Sequence, residues 1–359
     1  MTGHGEDKME EQAMISGKTL AVGLIGKYRA VLMGTAILCI LFCHLDLVQR
    51  KHDLPVSGLG MASSALTMGV DMFMFLSGFG LYCSFSRKKP PYGQYVKHRV
   101  SKLLPSYLAI AGTVYLVKYA IIGREGVLSF FKRLFFVPWF AEGITHGWFV
   151  LAILVFYLVF PLLYRLVETI GRMKWRFAVW GLCAAGYYLL AQAGKRIDPV
   201  QYRHFMIAIE RFPVFVFGAV CGQLFKREDK KVPMPVVLGI ILAGVAATML
   251  ICAPSPLKAW ARRLPFFFYF SKGLMALSVI AAMLCVSERL ETCRAGRALV
   301  AFLAWMGGFT LHLYLLHSGA LQLFDYPPTL PGYLLLAVAV PLAVAVAIQF
   351  VLKATSGRP

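Results

Sequence analysis

The chain has 359 residues, of which 59% are hydrophobic and only 15% charged, where soluble domains carry about a quarter charged residues. Apolar runs long enough to cross a bilayer recur along the whole length. This excludes an ordinary soluble enzyme and predicts an all-α, polytopic transmembrane helix bundle. The net charge of +20 could suggest nucleic acid, but the bases lie in short loops between apolar runs. That placement reads as membrane orientation, with no nucleic-acid partner.

Residues 1–26 have mixed charge and no signal-peptide core. They are expected to form a cytoplasmic segment, followed by a transmembrane domain over 27–353 and a tail over 354–359. The first apolar run is read as an uncleaved signal anchor. Ten apolar segments follow one another, at roughly 30–48, 67–86, 103–122, 148–167, 177–193, 206–225, 234–253, 265–286, 298–318 and 331–352. The longest loop, about 123–147, is itself aromatic (RLFFVPWF) and fits the membrane interface. With both termini in the cytoplasm, inside loops hold roughly twice as many Lys and Arg as outside loops. The block RKKPPYGQYVKHRVSK is the strongest cytoplasmic marker. The eight cysteines form no CxxC pair and read as small buried hydrophobes.

His44 ends the first apolar run, AVLMGTAILCILFCHLD. An imidazole there is costly without a partner or a task. At a 1.5 Å rise per residue it lies about 20 Å along the first segment, near the outer face. Asp71, Trp148 (with His146 just before it), Glu210 with Arg211, and His317 fall at the same level on four other segments. The expectation is one outward cavity shared by His44, Asp71, Trp148, Glu210 and His317. Interfacial residues at helix ends, or an ion pair that Asp71 makes with a neighbouring base, are the competing readings. Seven residues separate Asp71 from Gly78, so both should line one side of the second segment.

On the inner side, Arg99 and Lys102 are three apart on one helix face. Their spacing suits a phosphate or an anionic lipid head group, and equally a topology signal. Arg87 to Lys89 read as topology alone. The small residues of SGFG at 77–80 allow close helix packing or a narrow passage past Ser77 and Gly78.

Several stretches together resemble the acyltransferase-3 family of integral-membrane acyltransferases. They are LMGTAILCILFCH, GVDMFMFLSGFGLY, YVKHRVSKLLPSYL, HGWFVLAILVFYLVFPLL, RFPVFVFGAVCGQL and MGGFTLHLYLLHS. Their order and spacing carry the resemblance, which covers roughly residues 27–350. It implies a multi-pass protein of a bacterial plasma membrane. Such a protein moves an acyl group, often acetyl, from acyl-CoA to a hydroxyl of an envelope glycan, without a metal. The catalytic candidates are His44 as general base with Asp71, Trp148, Glu210 and His317. The donor candidates are Arg29, Ser77, Gly78, Arg99, Lys102 and Arg211, with Trp148 or Arg211 as the oxyanion donor. Two positions depart from the family pattern. Met33 stands where an Arg is usual, with Arg29 one helical turn earlier, and Lys102 stands where Arg is common, which weakens bidentate phosphate binding. A transporter for a lipid-linked sugar, using Glu210, Arg211 and Lys272 along its path, is the alternative. A sensory domain that only binds an acylated ligand is a third.

Overall fold

The computed structural model describes residues 19–53, 63, 65–143, 147–225, 230–252, 256, 267–325, 327 and 329–356. His146 lies outside them. Among these residues nine helices are long and apolar enough to cross a membrane, and one bent pair completes a tenth span. Their positions follow the ten apolar segments read from the sequence.

The first span joins α1 (Arg29–Phe42) to α2 (Leu45–Lys51). The second and third are α3 (Met68–Lys88) and α4 (Tyr92–Tyr115), the latter extended by a π-helical turn over Leu116–Ile122. Two short helices, α5 (Val127–Leu134) and α6 (Val137–Glu142), fill the aromatic loop. The fourth and fifth spans are α7 (Trp148–Gly171) and α8 (Arg176–Ile197). Helices α9 (Pro199–Ile209) and α10 (Phe212–Leu224) make the sixth. The seventh and eighth are α11 (Met234–Cys252) and α12 (Phe267–Leu290). The bent pair is α13 (Arg294–Gly307) with α14 (Thr310–Leu323). A π-helical turn at Leu334–Ala339 leads into α15 (Val340–Ser356).

Pairs of distant residues fix the parity of these crossings. Thr19–Ala21 (β1) pairs antiparallel with Lys231–Pro233 (β2), so residues before the first span and after the sixth share one side. Lys27 meets Glu288 and Glu291 at 3.6 and 3.7 Å, which puts the end of the eighth span there too. On the opposite face Lys51 pairs with Asp325. Seven spans and the bent pair separate them, so the bent pair must cross once for the two to meet. The residues after the first and ninth spans therefore share one face, and those before the first and after the sixth and eighth share the opposite face. The latter is called the N-terminal face below, and the former the distal face.

Three spans are not the straight helices that the sequence suggests. The first breaks at Cys43–His44, where Cys43 N–H bonds back only three residues, to Ile40 O, at 3.3 Å. The sixth breaks at Glu210–Arg211 because Pro213 sits at the start of α10 and brings no N–H to continue the ladder. The ninth, read as one segment over 298–318, bends by 74° between α13 and α14. Gly307 there lies against the Ala30 carbonyl, where any Cβ would collide.

Candidate functional site

The break in the first span turns His44 toward the ninth. Its ring stacks on His317, with centroids 5.5 Å apart and planes 20° from parallel. His317 is fully buried, and its Nδ1 lies 2.5 Å from the Ala337 carbonyl in the π-helical turn. A carbonyl only accepts, so Nδ1 carries the hydrogen and the tautomer is set. Tyr333 presents its ring edge to His317 at 6.2 Å. Its hydroxyl donates to the Leu41 carbonyl at 2.5 Å, in the last turn of α1. The histidine pair is thus held between the first, ninth and tenth spans.

A second cluster surrounds the break in the sixth span. Arg211 Nε lies 3.5 Å from Asp71 Oδ1, both side chains buried. The Arg211 guanidinium packs on Trp148 at 5.5 Å and on Tyr269 at 4.8 Å, and donates to the Ile207 carbonyl at 3.1 Å. Lys272 lies 5.4 Å from the same Tyr269 ring. Glu210 accepts a hydrogen bond from Tyr202 at 2.8 Å, and Tyr187 donates to the Ile209 carbonyl at 2.6 Å. These bonds take up polar groups that the break would otherwise leave exposed to lipid. Cys43, next to His44, is within electrostatic reach of both Arg211 and Lys272. The two clusters are therefore neighbours in the distal half of the bundle.

The candidates toward the N-terminal face form a third group. Arg99 donates to Ser84 Oγ at 3.1 Å and packs on the rings of Tyr95 and Tyr157, at 5.5 and 5.7 Å. Tyr157 and Ser77 line the same cavity, and Tyr157 is within electrostatic reach of both Arg99 and Arg29. The Arg29 guanidinium fills the space beside Gly80, 3.1 Å from where a Cβ would stand. Lys102 is exposed.

A cavity of about 120 Å³ lies between the first, second, third, fourth and ninth spans. Phe73 and Ser77 line it from α3, whereas Gly78 does not. Gly78 packs on the Phe215 carbonyl, and Gly218 of α10 packs reciprocally on the Phe75 carbonyl. Asp71 and Gly78 do share one side of α3, as their spacing predicts, but that side is pressed onto the sixth span. The passage is the neighbouring face.

A family profile described as an acyltransferase domain, of the acyltransferase-3 type, matches residues 31–351. The chain belongs to the acyltransferase-3 family. It is a multi-pass membrane acyltransferase. No match was found among curated proteins or among solved structures. In this acyltransferase, Met33 lines the cavity and Arg29 reaches the group at its N-terminal end.

The sequence reading missed Tyr157, Tyr202, Tyr269, Thr310 and Tyr333. Tyr269 carries a usable signal, an aromatic ring three residues before a lysine inside an apolar run. The others become visible only once the breaks bring spans together. Among the described residues, no three His, Cys, Asp or Glu side chains are grouped to hold a metal ion.

Proposed function

We propose that this acyltransferase moves an acetyl group from acetyl-CoA to a hydroxyl of an envelope glycan at the distal face. The observation that carries this reading is the register of the cavity walls. At one end Ile40, Phe73, Phe149 and Tyr314 line the cavity. Each is within one helical turn of His44, Asp71, Trp148 or His317 respectively. At the other end Met33 and Leu103 line it, one turn beyond Arg29 and Arg99. This register suits a long, thin donor with its phosphates at Arg29 and Arg99 and its thioester near His44. At about 120 Å³ the space takes only part of such an arm, so the walls must part to admit the rest. The basic N-terminal end then faces the cytoplasm, where acyl-CoA is made, in keeping with the loop charges.

In this scheme His44 takes the proton from the acceptor hydroxyl as its oxygen attacks the thioester carbonyl. The C–S bond then breaks, and the departing CoA thiolate takes that proton from His44. His317, with its own tautomer fixed by the Ala337 carbonyl, orients the His44 ring by stacking. Trp148 Nε1–H is the oxyanion donor. Asp71 holds Arg211 in place, and Glu210 with Tyr202 seals the break behind it.

A transporter reading has one observation in its favour. Three spans are broken, and two of the breaks carry polar residues, as at the binding sites of transporters. One experiment separates the readings. The purified protein in nanodiscs, given acetyl-CoA and envelope glycan, should release free CoA in step with glycan acetylation. Absence of both, with glycan crossing the bilayer instead, overturns the transferase reading.

A further inference from the structure

The cavity walls are mostly apolar, yet three hydroxyl-bearing residues are among those that line it away from the histidine pair. Ser77 and Tyr157 lie toward Arg99, and Thr310 lies at the bend of the ninth span, one turn before Tyr314. Hydroxyls facing an apolar space favour an occupant that can hydrogen-bond to them. An alkyl chain of a lipid gives them nothing. An acyl-pantetheine arm carries two secondary amides and one hydroxyl on a largely apolar chain, which matches this lining.

We infer that the Tyr157 and Thr310 hydroxyls hydrogen-bond the two amides of the donor's pantetheine arm. Tyr157 takes the amide nearer the phosphates, because it touches Arg99 at 5.7 Å. Thr310 takes the amide nearer the thioester, because its helix carries His317 two turns further on. This inference rests on the reading of the cavity as the donor's path. It makes the protein selective for pantetheine thioesters over lipid-borne acyl groups.

The test uses Tyr157→Phe, which keeps the ring under Arg99, and Thr310→Val, which keeps the volume. Binding is measured by calorimetry on the full chain in nanodiscs, with two probes. Coenzyme A has the arm, and adenosine 3′,5′-bisphosphate has the phosphates without it. Each variant should bind coenzyme A roughly 3- to 10-fold more weakly, the range for one lost hydrogen bond, and the bisphosphate as well as the unaltered protein does. Unchanged coenzyme A affinity, or equal losses for both probes, overturns the inference and leaves the donor path standing. An unaltered protein that binds neither probe overturns both. The order is read from S-acetyl-N-acetylcysteamine, which keeps only the amide next to sulfur. Transfer from it should fall in Thr310→Val and hold in Tyr157→Phe, and any other pattern overturns the order.

Discussion

Asp71 and Arg211 form an ion pair across the second and sixth spans, 3.5 Å between Oδ1 and Nε, with side chains 0% and 3% exposed. Neither Asp71 oxygen accepts a hydrogen bond among the described residues. The pair therefore rests on charge at one contact, in a setting where an unmatched charge is costly. Asp71→Asn should destabilise the protein by about 3–5 kcal/mol, the usual cost of breaking a buried pair from one side. Asp71→Asn combined with Arg211→Met should regain part of that loss, because the Arg211 charge is no longer left without its partner, while Lys272 still loses the nearby Asp71 charge. Thermal unfolding in detergent checks this. Equal destabilisation in the single and double variants would show that the pair does not couple the two spans. Turnover adds a second reading: a double variant that is stable but inactive places Arg211 in the chemistry as well.

The bundle was legible in the sequence because hydrophobic length alone sets the number of crossings. The same counting set the expectation that His44, Asp71, Trp148, Glu210 and His317 face one cavity, but none of the five lines the cavity between the spans. The breaks were not legible. At Glu210–Arg211 the cause, Pro213, stands in plain view, but proline is common in membrane helices and often only bends them. At His44 no proline or glycine marks the break. Its support, the Tyr333 hydroxyl on the Leu41 carbonyl, comes from 292 residues away. The face of α3 that lines the cavity was also out of reach. Small residues at Gly78 fit both a passage and a helix crossing, and only the position of Phe215 decides between them.

His44→Ala should lower acyl transfer by about 10²- to 10⁴-fold, the range for loss of a general base. Its melting temperature should change little, because His317 keeps its bond to the Ala337 carbonyl. Steady-state turnover beside a melting curve checks both halves. Near-normal turnover in the variant would end the general-base assignment.

Gly78→Ala and Gly80→Ala should differ sharply. A Cβ on Gly78 meets the backbone carbonyl of Phe215 and the amide of Ala219, and neither can step aside without moving α10. A Cβ on Gly80 meets only the end of the Arg29 side chain, which has rotamers to spare. Gly78→Ala is thus expected to reduce the yield of folded protein, while Gly80→Ala folds and binds the donor more weakly. Size-exclusion profiles of the two variants decide it. Equal profiles would mean that the α3–α10 crossing has slack.

Arg99→Ala should weaken coenzyme A binding by roughly 10- to 150-fold, since hydrogen bonds to charged groups contribute roughly 1.5–3 kcal/mol. Raising salt should weaken binding to the unaltered protein, and less so to the variant, because phosphate contacts near the surface are screened. Lys102 is exposed and does not itself line the cavity, so Lys102→Ala should leave affinity close to normal. Calorimetry at two salt concentrations measures all three. Loss in Lys102→Ala equal to that in Arg99→Ala would move the phosphate site to the surface of α4.

Lys51 and Asp325 tie the distal ends of the first and ninth spans together, the two spans that hold His44 and His317. The Asp325 carboxyl is held below its ordinary value of 3.8, chiefly by the hydrogen bond from Lys51 and then by that lysine's charge. A depressed carboxylate stabilises the folded state fully above its unfolded value, and the contribution is lost as pH falls through the folded one. Asp325→Asn is the useful comparison. Asn accepts the left-handed backbone that Asp325 adopts, with φ of 49°, so the substitution removes charge without adding strain. The melting temperature of the unaltered protein should exceed that of Asp325→Asn by a small, constant margin above the ordinary carboxylate range. The margin should close as pH drops below about 3.8, and high salt at neutral pH should narrow it, because both groups are solvent-exposed. A margin that stays the same through this pH range would mean that the two span ends are held by packing alone.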